Sequence, residues 1–337
     1  MDNKTRNSDT EQDINGNILI YGGSDSDKAK LIESKLLKTD SSSLVVPAPK
    51  RRFINQYRPV FSGRQYQTAE INFASPGSGN STHGYDPLQH IRSYPDIRFL
   101  AELLMAEAVP VHTKAGTSYC GINEMAAISL HCAEISYILA TIDHASYADV
   151  IAFHEQMLME DDGRLLSFEN RIQNLPGTPA QEHLASFAKN CWYTYSLLPR
   201  KQASRVLSLL NRAIETFDPD FREMIAGSKK PFDFKKLGSR KTILFVTVPV
   251  KPAAYTRMFY GMLFKETSGN SEKQPGPVPV EILYDFNTGG PILYLPEFMH
   301  ALDSIMLFTQ SEKQLEEFYG FSGAEQILSC CDTHIHL

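Results

Sequence analysis

Long apolar runs are missing from this sequence. None of its 337 residues belongs to a stretch of about 18 consecutive apolar residues, the shortest length typical of a membrane-crossing helix. Residues 1–16 are polar and lack the apolar core of a secretory signal, so we expect a disordered lead-in there. These absences predict a protein without a transmembrane segment.

The sequence also has few cysteines and no excess of positive charge. The five cysteines form no CxxC pair, which is typical of free thiols in a reducing compartment. The tail Cys330-Cys331-Asp332-Thr333-His334-Ile335-His336 has metal-ligand types, but its alternation favours a strand, and we predict no metal site. The formal net charge of −6 argues against tight autonomous binding to a nucleic-acid backbone, so any DNA contact is expected to be weak.

The sequence does contain the alternation of an α/β protein, interrupted by a helical stretch. Apolar runs predict strands at 17–21, 43–47, 66–74, 242–249, 280–285, 305–310 and 333–337. Helical spacing predicts helices at 28–38, 97–109, 122–139, 148–159, 179–198, 203–217, 255–264 and 312–319. The chain is therefore predicted to open as β-α-β-β, with two sheet-forming parts on either side of a helical insertion.

A glycine-rich turn follows the first predicted strand and precedes the first predicted helix. Its residues are Gly22, Gly23, Ser24, Asp25, Ser26, Asp27, Lys28 and Ala29. In this context the pattern G-x-x-x-x-G-K-[ST] binds phosphate through backbone N–H groups and a lysine. Gly22 and Lys28 agree with the pattern, and Lys28 stands where a lysine reaches the outer phosphates. The turn is therefore a candidate nucleotide site.

Two positions of this turn are chemically unsuited to ATP. Asp27 replaces the second glycine, and Ala29 replaces the hydroxyl residue that holds Mg²⁺. Like charges about 4 Å apart repel by about 4 kcal/mol at an effective dielectric of about 20. Asp25 or Asp27 could also occupy the anion position itself. An alternative stays open, in which these acidic residues and Lys28 only cap a strand–turn–helix unrelated to nucleotides.

The second half of such a site is an apolar strand that ends in aspartate, usually followed by an acidic residue that prepares the attacking water. The run 280–285 supplies the strand and Asp285, but the next residue is Phe286, which cannot act as a base. We therefore expect Lys28 and Asp285 to persist without a magnesium hydroxyl or a catalytic carboxylate, and we expect hydrolysis to be lost.

Together these segments resemble the coupling-protein ATPases of type IV secretion and conjugation, the TraG/TraD-like DNA-transfer proteins. The resemblance covers about residues 17–337 and rests on the order and spacing of short motifs. Besides the turn, the matching pieces are Ala48-Pro49-Lys50, Asp86-Pro87-Leu88, Arg240-Lys241-Thr242, Asp285 to Ile292, Phe308-Thr309-Gln310-Ser311, Leu315 and Tyr319-Gly320. The family implies a RecA-like P-loop NTPase core, mainly a parallel sheet, with an inserted all-α subdomain.

The resemblance also implies a domain plan and a site. The lead-in spans 1–16, the first part of the RecA-like domain 17–85, the all-α insertion 86–231, and a C-terminally truncated second part 232–337. The vestigial nucleotide site comprises the whole turn with Asp285 and Gln310, and no residue is assigned a catalytic role. ATP binding is expected to be weak or absent, and neither Mg²⁺ nor another metal is expected.

Members of the resembled family form hexamers that deliver substrate to a membrane secretion machine, but their membrane helices and the arginine that reaches a neighbour's nucleotide have no counterpart here. We expect a cytoplasmic pseudo-ATPase, or one peripheral at the inner face of the plasma membrane. Its expected partners are secretion or conjugation machinery or relaxase-type proteins, with oligomerisation left open. The alternatives are an active DNA-dependent ATPase that uses Lys28 and Asp285, and a decayed gene product.

The helical stretch contains further candidates that we interpret as structural. We favour core or surface roles over a metal or nucleophile site for its histidines, which are His131, His144, His154 and His183. Trp192, with Tyr193 and Tyr195, is interpreted as core rather than as a substrate-reading aromatic patch. Cys120 has no visible partner triad, so a cysteine nucleophile is not expected there.

Overall fold

A computed structural model describes most of the chain. The described residues are 16–48, 50–75, 81–108, 121–160, 165–175, 182–217, 219–225, 230–249, 254–269, 278–302 and 304–337. Cys120 therefore lies outside the described residues, and so does Pro49 of the Ala48-Pro49-Lys50 motif.

Seven strands form one parallel sheet in the order β3-β4-β2-β5-β6-β1-β7. They are β1 (Ile18–Tyr21), β2 (Ser43–Pro47), β3 (Gln67–Asn72), β4 (Thr242–Thr247), β5 (Val280–Asp285), β6 (Ser304–Thr309) and β7 (Thr333–His336). β1, β2 and β4 are buried along their whole length, which explains their continuous apolar sequences. Tyr21 pairs with Thr309, and Asp285 pairs with Phe308, so the carboxyl ends of β1, β5 and β6 meet at one edge.

Helices make up the rest of the described regular structure. They are α1 (Asp25–Lys38), α2 (Arg51–Gly63), α3 (Tyr94–Ala108), α4 (Ile122–Thr141), α5 (Tyr147–Glu160), α6 (Leu166–Gln173), α7 (Glu182–Ser196), α8 (Arg200–Ile214), α9 (Pro219–Ile225), α10 (Lys235–Ser239), α11 (Ala254–Gly269), α12 (Phe286–Gly289), α13 (Leu295–Met299) and α14 (Glu312–Ser329), with a 3₁₀ turn at Pro87–His90. Gly320 kinks α14 with a φ of 68°. Within the described ranges, no helix has both the length and the apolarity needed to cross a bilayer.

The chain divides into two compact units of different class. The described residues of the first unit lie within 16–83 and 232–337, and they form the whole described sheet with α1, α2 and α10 to α14. The described part of the second unit lies between residues 84 and 231 and is helical from α3 to α9, apart from a bridge between Gly84 and Pro231. The predicted parallel α/β class with an inserted helical part is therefore confirmed.

The predicted β-α-β-β opening is wrong, because α2 lies between β2 and β3. Pro59 and a basic first turn obscure this helix in the sequence. Ile54, Tyr57 and Phe61 nevertheless recur at helical spacing, and all three are buried in the sheet's core. The opening is β-α-β-α-β, and each helix supplies the crossover that successive parallel strands of one sheet require. The short helix α6 is likewise absent from the sequence-based prediction.

Candidate functional site

The predicted turn is a short, glycine-dependent connection between β1 and α1. Gly22 and Gly23 have positive φ values of 67° and 76°, a region that side chains with a Cβ enter only with strain. The Gly22 amide donates to the carbonyl of Thr309 at 2.9 Å. A Cβ on Gly23 would lie 2.8 Å from the Leu337 side chain. The backbone path and packing therefore require both glycines, whether or not a phosphate binds.

α1 begins directly after this turn and has a capping box. Ser24 is the N-cap, and its amide and hydroxyl donate to Asp27 Oδ2 at 3.2 and 2.7 Å. The Asp27 amide donates in return to the Ser24 hydroxyl at 3.3 Å. The Ser24 hydroxyl, followed by the Ser24 amide, holds the pKa of the Asp27 carboxyl below its usual value. Asp27 thus satisfies helix-end donors that a bound anion would otherwise use.

The early start of α1 changes what the turn offers to an anion. The phosphate-binding pattern keeps four residues between its two glycines in a loop whose amides converge on phosphate. Here Asp25, Ser26 and Asp27 are helical, and the Ser24 amide is bonded to a carboxylate. Among the described contacts of the turn, the amides of Gly23, Asp25 and Ser26 remain as donors, with the Asp27 carboxylate close by. Such a turn is poorly suited to a polyphosphate.

The candidate lysine is directed into the protein. Lys28 is only 7% exposed, and its Nζ lies 3.3 and 3.4 Å from the two carboxylate oxygens of Asp285 at the end of β5. The two residues are 257 positions apart in the chain, and the parallel sheet brings them together. A weakly hydrated ion pair of this kind stabilises the fold only when further hydrogen bonds complete it.

Those further bonds come from a chain of side chains that ends on β6. Asp285 Oδ1 accepts from the Asn287 amide at 3.0 Å and from Asn287 Nδ2 at 2.9 Å. Gln314 Nε2 donates to Asn287 Oδ1 at 3.1 Å. Gln314 Oε1 accepts from the Thr309 hydroxyl at 2.8 Å. The carboxylate is therefore fixed from both sides, by Lys28 and by Asn287.

Gln310, the remaining predicted site residue, is placed differently. Its side chain is exposed, and within the described contacts it joins this chain through its backbone amide, which donates to Gln314 Oε1 at 2.9 Å. Gln314 and Asn287 are the residues that the sequence analysis missed. The S-x-x-Q signature of Ser311 and Gln314 could have pointed to Gln314, since Ser311 caps α14 and accepts from the Gln314 amide at 3.3 Å.

Phe286 follows Asp285 but belongs to the hydrophobic core. It is 1% exposed. Its ring lies edge-on to Tyr284, with centroids 5.3 Å apart, and contacts Phe318 and Tyr319 at 6.1 and 6.0 Å. Phe286 therefore differs from a catalytic carboxylate in its environment as well as in its chemistry, because its side chain packs among aromatic rings.

The residues present do not fit a magnesium nucleotide. Asp285 is already engaged by Lys28 and Asn287, Ala29 offers no hydroxyl, and Asp27 brings negative charge to the turn. Elsewhere in the described part of the chain, no group of three or more metal-binding side chains is suited to an ion. The tail histidines instead flank Tyr21: His334 Nδ1 lies 3.1 Å from its hydroxyl, and His336 stacks on its ring at 4.6 Å.

The helical unit contains a buried polar cluster around Glu134. The Glu134 carboxylate lies 2.9 Å from His131 Nδ1 and 2.8 Å from His154 Nδ1, and His131 Nε2 lies 2.7 Å from the Tyr147 hydroxyl. Burial raises the pKa of Glu134, but the charge of His154 and the hydrogen bonds of both histidines outweigh it and lower that pKa to about 2. The other two candidates, His144 and His183, are exposed.

The aromatic group divides between core and surface. Trp192 and Tyr195 are buried, and Phe168 meets the Trp192 ring edge-on at 5.2 Å, whereas Tyr193 is 63% exposed. The core interpretation therefore holds for two of the three residues.

Comparison with known proteins places this fold in a family. The family model for type IV secretory system conjugative DNA transfer matches residues 3–336. The chain belongs to this family. A search among curated proteins gives no match.

Solved structures of conjugative coupling proteins resemble this family member over nearly its whole length. The bacterial conjugative coupling protein TrwBΔN70, in a trigonal form with sulphate, is 13% identical with a TM-score of 0.62, and the match covers 95% of this chain and 69% of that chain. Plasmid coupling protein TrwB with ADP and Mg²⁺ is 13% identical with a TM-score of 0.61, covering 94% and 69%. The unbound monoclinic TrwBΔN70 is 14% identical with a TM-score of 0.60, covering 93% and 66%. The predicted RecA-like fold is confirmed.

Proposed function

We propose that this coupling-protein family member is a binding component of conjugative DNA transfer that does not hydrolyse ATP. The observation that carries the proposal is the buried ion pair between Lys28 and Asp285. The two groups that would hold phosphate and magnesium hold each other instead. The Asp27 capping box, the missing hydroxyl at Ala29 and the core position of Phe286 support the same conclusion.

The ion pair weakens nucleotide binding by an amount that can be approximated. Drawing Lys28 toward a phosphate would leave the partly buried Asp285 carboxylate without its counterion, which costs up to about 3–5 kcal/mol. Since each 1.4 kcal/mol is about tenfold in affinity, the penalty corresponds to roughly two to three and a half orders of magnitude. A magnesium ion on Asp285 would offset part of this cost, but Ala29 gives it no second ligand.

Calorimetry with Mg-ATP and Mg-ADP tests the proposal. We expect no binding tighter than millimolar by the native chain. The triple variant Asp25→Gly, Asp27→Gly and Ala29→Thr should bind more tightly, because it removes two carboxylates and restores the hydroxyl. Lys28→Ala should abolish any such gain, whereas Lys30→Ala, a matched change at an exposed lysine of α1, should leave it unchanged. Micromolar binding by the native chain that Lys28→Ala alone removes would overturn the proposal.

A second function is favoured by the retained pair itself. Lys28 and Asp285 are the residue types of an ATPase. Lys28 lies in the first turn of α1, and Asp285 ends β5. The alternative is therefore a divergent DNA-dependent ATPase. Phosphate release is measured with and without single-stranded DNA. A DNA-stimulated rate that is lost in Lys28→Ala and kept in Lys30→Ala supports the alternative, while a rate equal to that of Lys28→Ala supports the first proposal.

The proposed partners follow from the family. We propose that the chain acts in the cytoplasm, or at the inner face of the plasma membrane, and binds relaxase-type or secretion components. The relevant assay is pairwise binding to such proteins encoded next to this gene. Binding that survives Lys28→Ala is expected of an adaptor that works without nucleotide. The absence of binding to every neighbouring component would contradict this assignment.

A further inference from the structure

A cavity opens in the helical unit where α4 and α8 begin. Its volume is about 500 Å³, and its described lining comes from the first turns of both helices and from Pro199, the N-cap of α8. Gln202 Nε2 donates to Asn123 Oδ1 at 3.2 Å, so a side-chain hydrogen bond joins the two helix starts. A cavity of this size accommodates a few side chains of a bound peptide.

Two cationic side chains line this cavity. Lys201 and Arg205 lie one turn apart on the exposed face of α8, whereas Ala203 and Val206 are buried on its other face. α8 contains no Asp or Glu that could pair with them along the helix. Among the described residues neither cation forms an ion pair, although Glu124 lines the same cavity. Two positive charges are therefore available to an anionic group that enters the cavity.

Exposed apolar side chains lie beside these cations. Ile122, which lines the cavity, is 73% exposed, and Met125, one turn further along α4, is 50% exposed. Leu197, in the short segment between α7 and α8, is 64% exposed. Apolar surface bordered by polar and charged groups is typical of protein-binding sites. These three residues, with Lys201 and Arg205, form the α4/α8 surface.

We propose that the α4/α8 surface binds an acidic amphipathic segment of a partner protein. The carboxylates of the segment lie at Lys201 and Arg205, and its apolar side chains cover Ile122 and Met125. This inference rests on the proposed role of the chain as a binding component, and it gives the chemistry of what is bound.

Charge complementarity selects an acidic partner, and the apolar residues select a protein. Opposite charges across an interface speed association and reject partners of the wrong sign. A nucleic-acid backbone is bound through many cations that neutralise successive phosphates. At this cavity two cations are accompanied by the carboxylate of Glu124 and by the exposed side chain of Ile122. Such a mixture suits a peptide that alternates acidic and apolar groups better than it suits a uniform row of phosphates.

Fluorescence anisotropy with the full chain tests the proposal in the absence of nucleotide. The probe is a labelled helical peptide of glutamate and leucine, with its leucines at positions i, i+3, i+4 and i+7. We expect saturable binding at about 0.05 M salt and several-fold weaker binding at about 0.3 M salt, because exposed charges are screened. A peptide of the same composition in scrambled order, which has no apolar face, should bind more weakly.

Variants of the chain locate the binding. Lys201→Glu with Arg205→Glu should weaken binding of the peptide at least about tenfold, because both attractions become repulsions. Lys38→Glu with Lys313→Glu makes the same change of net charge at exposed lysines of the sheet-containing unit and should leave the affinity unchanged. Ile122→Ser, a second test outside α8, should weaken binding while keeping its salt dependence. All five side chains are exposed, so the thermal midpoints should stay close to that of the native chain.

Three results would overturn the proposal. They are the absence of peptide binding by the native chain, equal affinity in the variant with both α8 charges reversed, and equal binding of the scrambled peptide. Tighter binding of a single-stranded DNA oligonucleotide that is lost in the same variant would assign the surface to nucleic acid instead. These results do not involve ATP, so they are distinguishable from failure of the proposed function, which would appear as tight Mg-ATP binding or phosphate release by the native chain.

Discussion

Separating the charges of Lys28 and Asp285 should destabilise the sheet-containing unit strongly. Lys28→Met removes the ammonium and keeps most of the apolar stem. Asp285→Asn removes the negative charge and keeps an oxygen for the Asn287 bonds. The two side chains are only 8% and 17% exposed, so each single variant leaves one buried charge without its counterion. The expected loss is about 3–5 kcal/mol for each variant.

The double variant Lys28→Met with Asp285→Asn decides whether the pair is a unit. It leaves neither charge unpaired, so its loss of stability should be smaller than the sum of the single losses by at least about 2 kcal/mol. The measurement is urea unfolding followed by far-UV circular dichroism, because the single tryptophan lies in the other unit and does not report on the sheet. Lys30→Met is the matched control, since the ion pair of Lys30 with Asp27 is largely exposed.

Two outcomes would refute this reasoning. If both single variants unfold at the same urea concentration as the wild type, the pair contributes nothing and its burial has been misjudged. If the three losses are additive within about 0.5 kcal/mol, the two side chains do not interact energetically. A midpoint change in Lys30→Met as large as that in Lys28→Met would show a general effect of charge in α1 rather than an effect of the buried pair.

Three further measurements follow from the same structure. Tryptophan fluorescence of the helical unit should show the highest thermal midpoint at about pH 4 to 4.5, because burial raises the pKa of Asp86 from 3.8 to about 7 and this carboxyl therefore costs stability as the pH rises through that interval. The pKa of Glu134 is lowered from 4.5 to about 2, so its contribution to stability is lost as the pH falls through that range. Burial lowers the pKa of His154, but the charge of Glu134 outweighs burial and raises that pKa above 6.5. The contribution of His154 to stability is therefore lost as the pH rises through the raised value. Phe286→Glu should lower stability by more than about 3 kcal/mol in urea unfolding and should restore no phosphate release, whereas Phe286→Leu should cost roughly 1 kcal/mol. Gln314→Ala should destabilise the chain by about 1 kcal/mol in urea unfolding, and Gln310→Ala should not change the midpoint measurably.

Sequence patterns predict the strands of this protein well because most of them are buried in a parallel sheet. β1, β2 and β4 are continuous apolar runs, and their predicted positions agree with the structure to within two residues. Among the helices, α2 was not predicted. Its basic start and its internal proline are untypical of a helix, and only three buried positions show the helical spacing. The prediction for this segment followed its composition, whereas the spacing of its apolar residues indicated the helix correctly.

The site was predictable only in its parts. The turn and Asp285 carry a motif, so their residue types can be recognised from the sequence. The ion pair between Lys28 and Asp285 depends on the order of strands in the sheet, which no local pattern contains. Asn287 lies in the family-like stretch Asp285 to Ile292, but that stretch does not reveal its bonds to Asp285, and Gln314 is recognisable only as a capping residue of α14. The direction of the Phe286 side chain is likewise a property of the packed core rather than of the chain's local sequence.

The residues that depart from the phosphate-binding pattern make the turn unsuited to ATP, and the same residues stabilise it in the absence of ATP. A glycine at position 27 would leave the Ser24 amide and hydroxyl without their acceptor, and it would remove the capping box that starts α1. Lys28 without a phosphate has a counterion in Asp285, and Asp285 without magnesium has Lys28 and Asn287. Restoring nucleotide binding therefore requires breaking contacts that now hold β1, α1 and β5 together. For this reason the triple variant at positions 25, 27 and 29 should gain affinity for Mg-ATP only at the expense of stability in its absence, and the two effects should be separable by comparing thermal midpoints with and without the nucleotide.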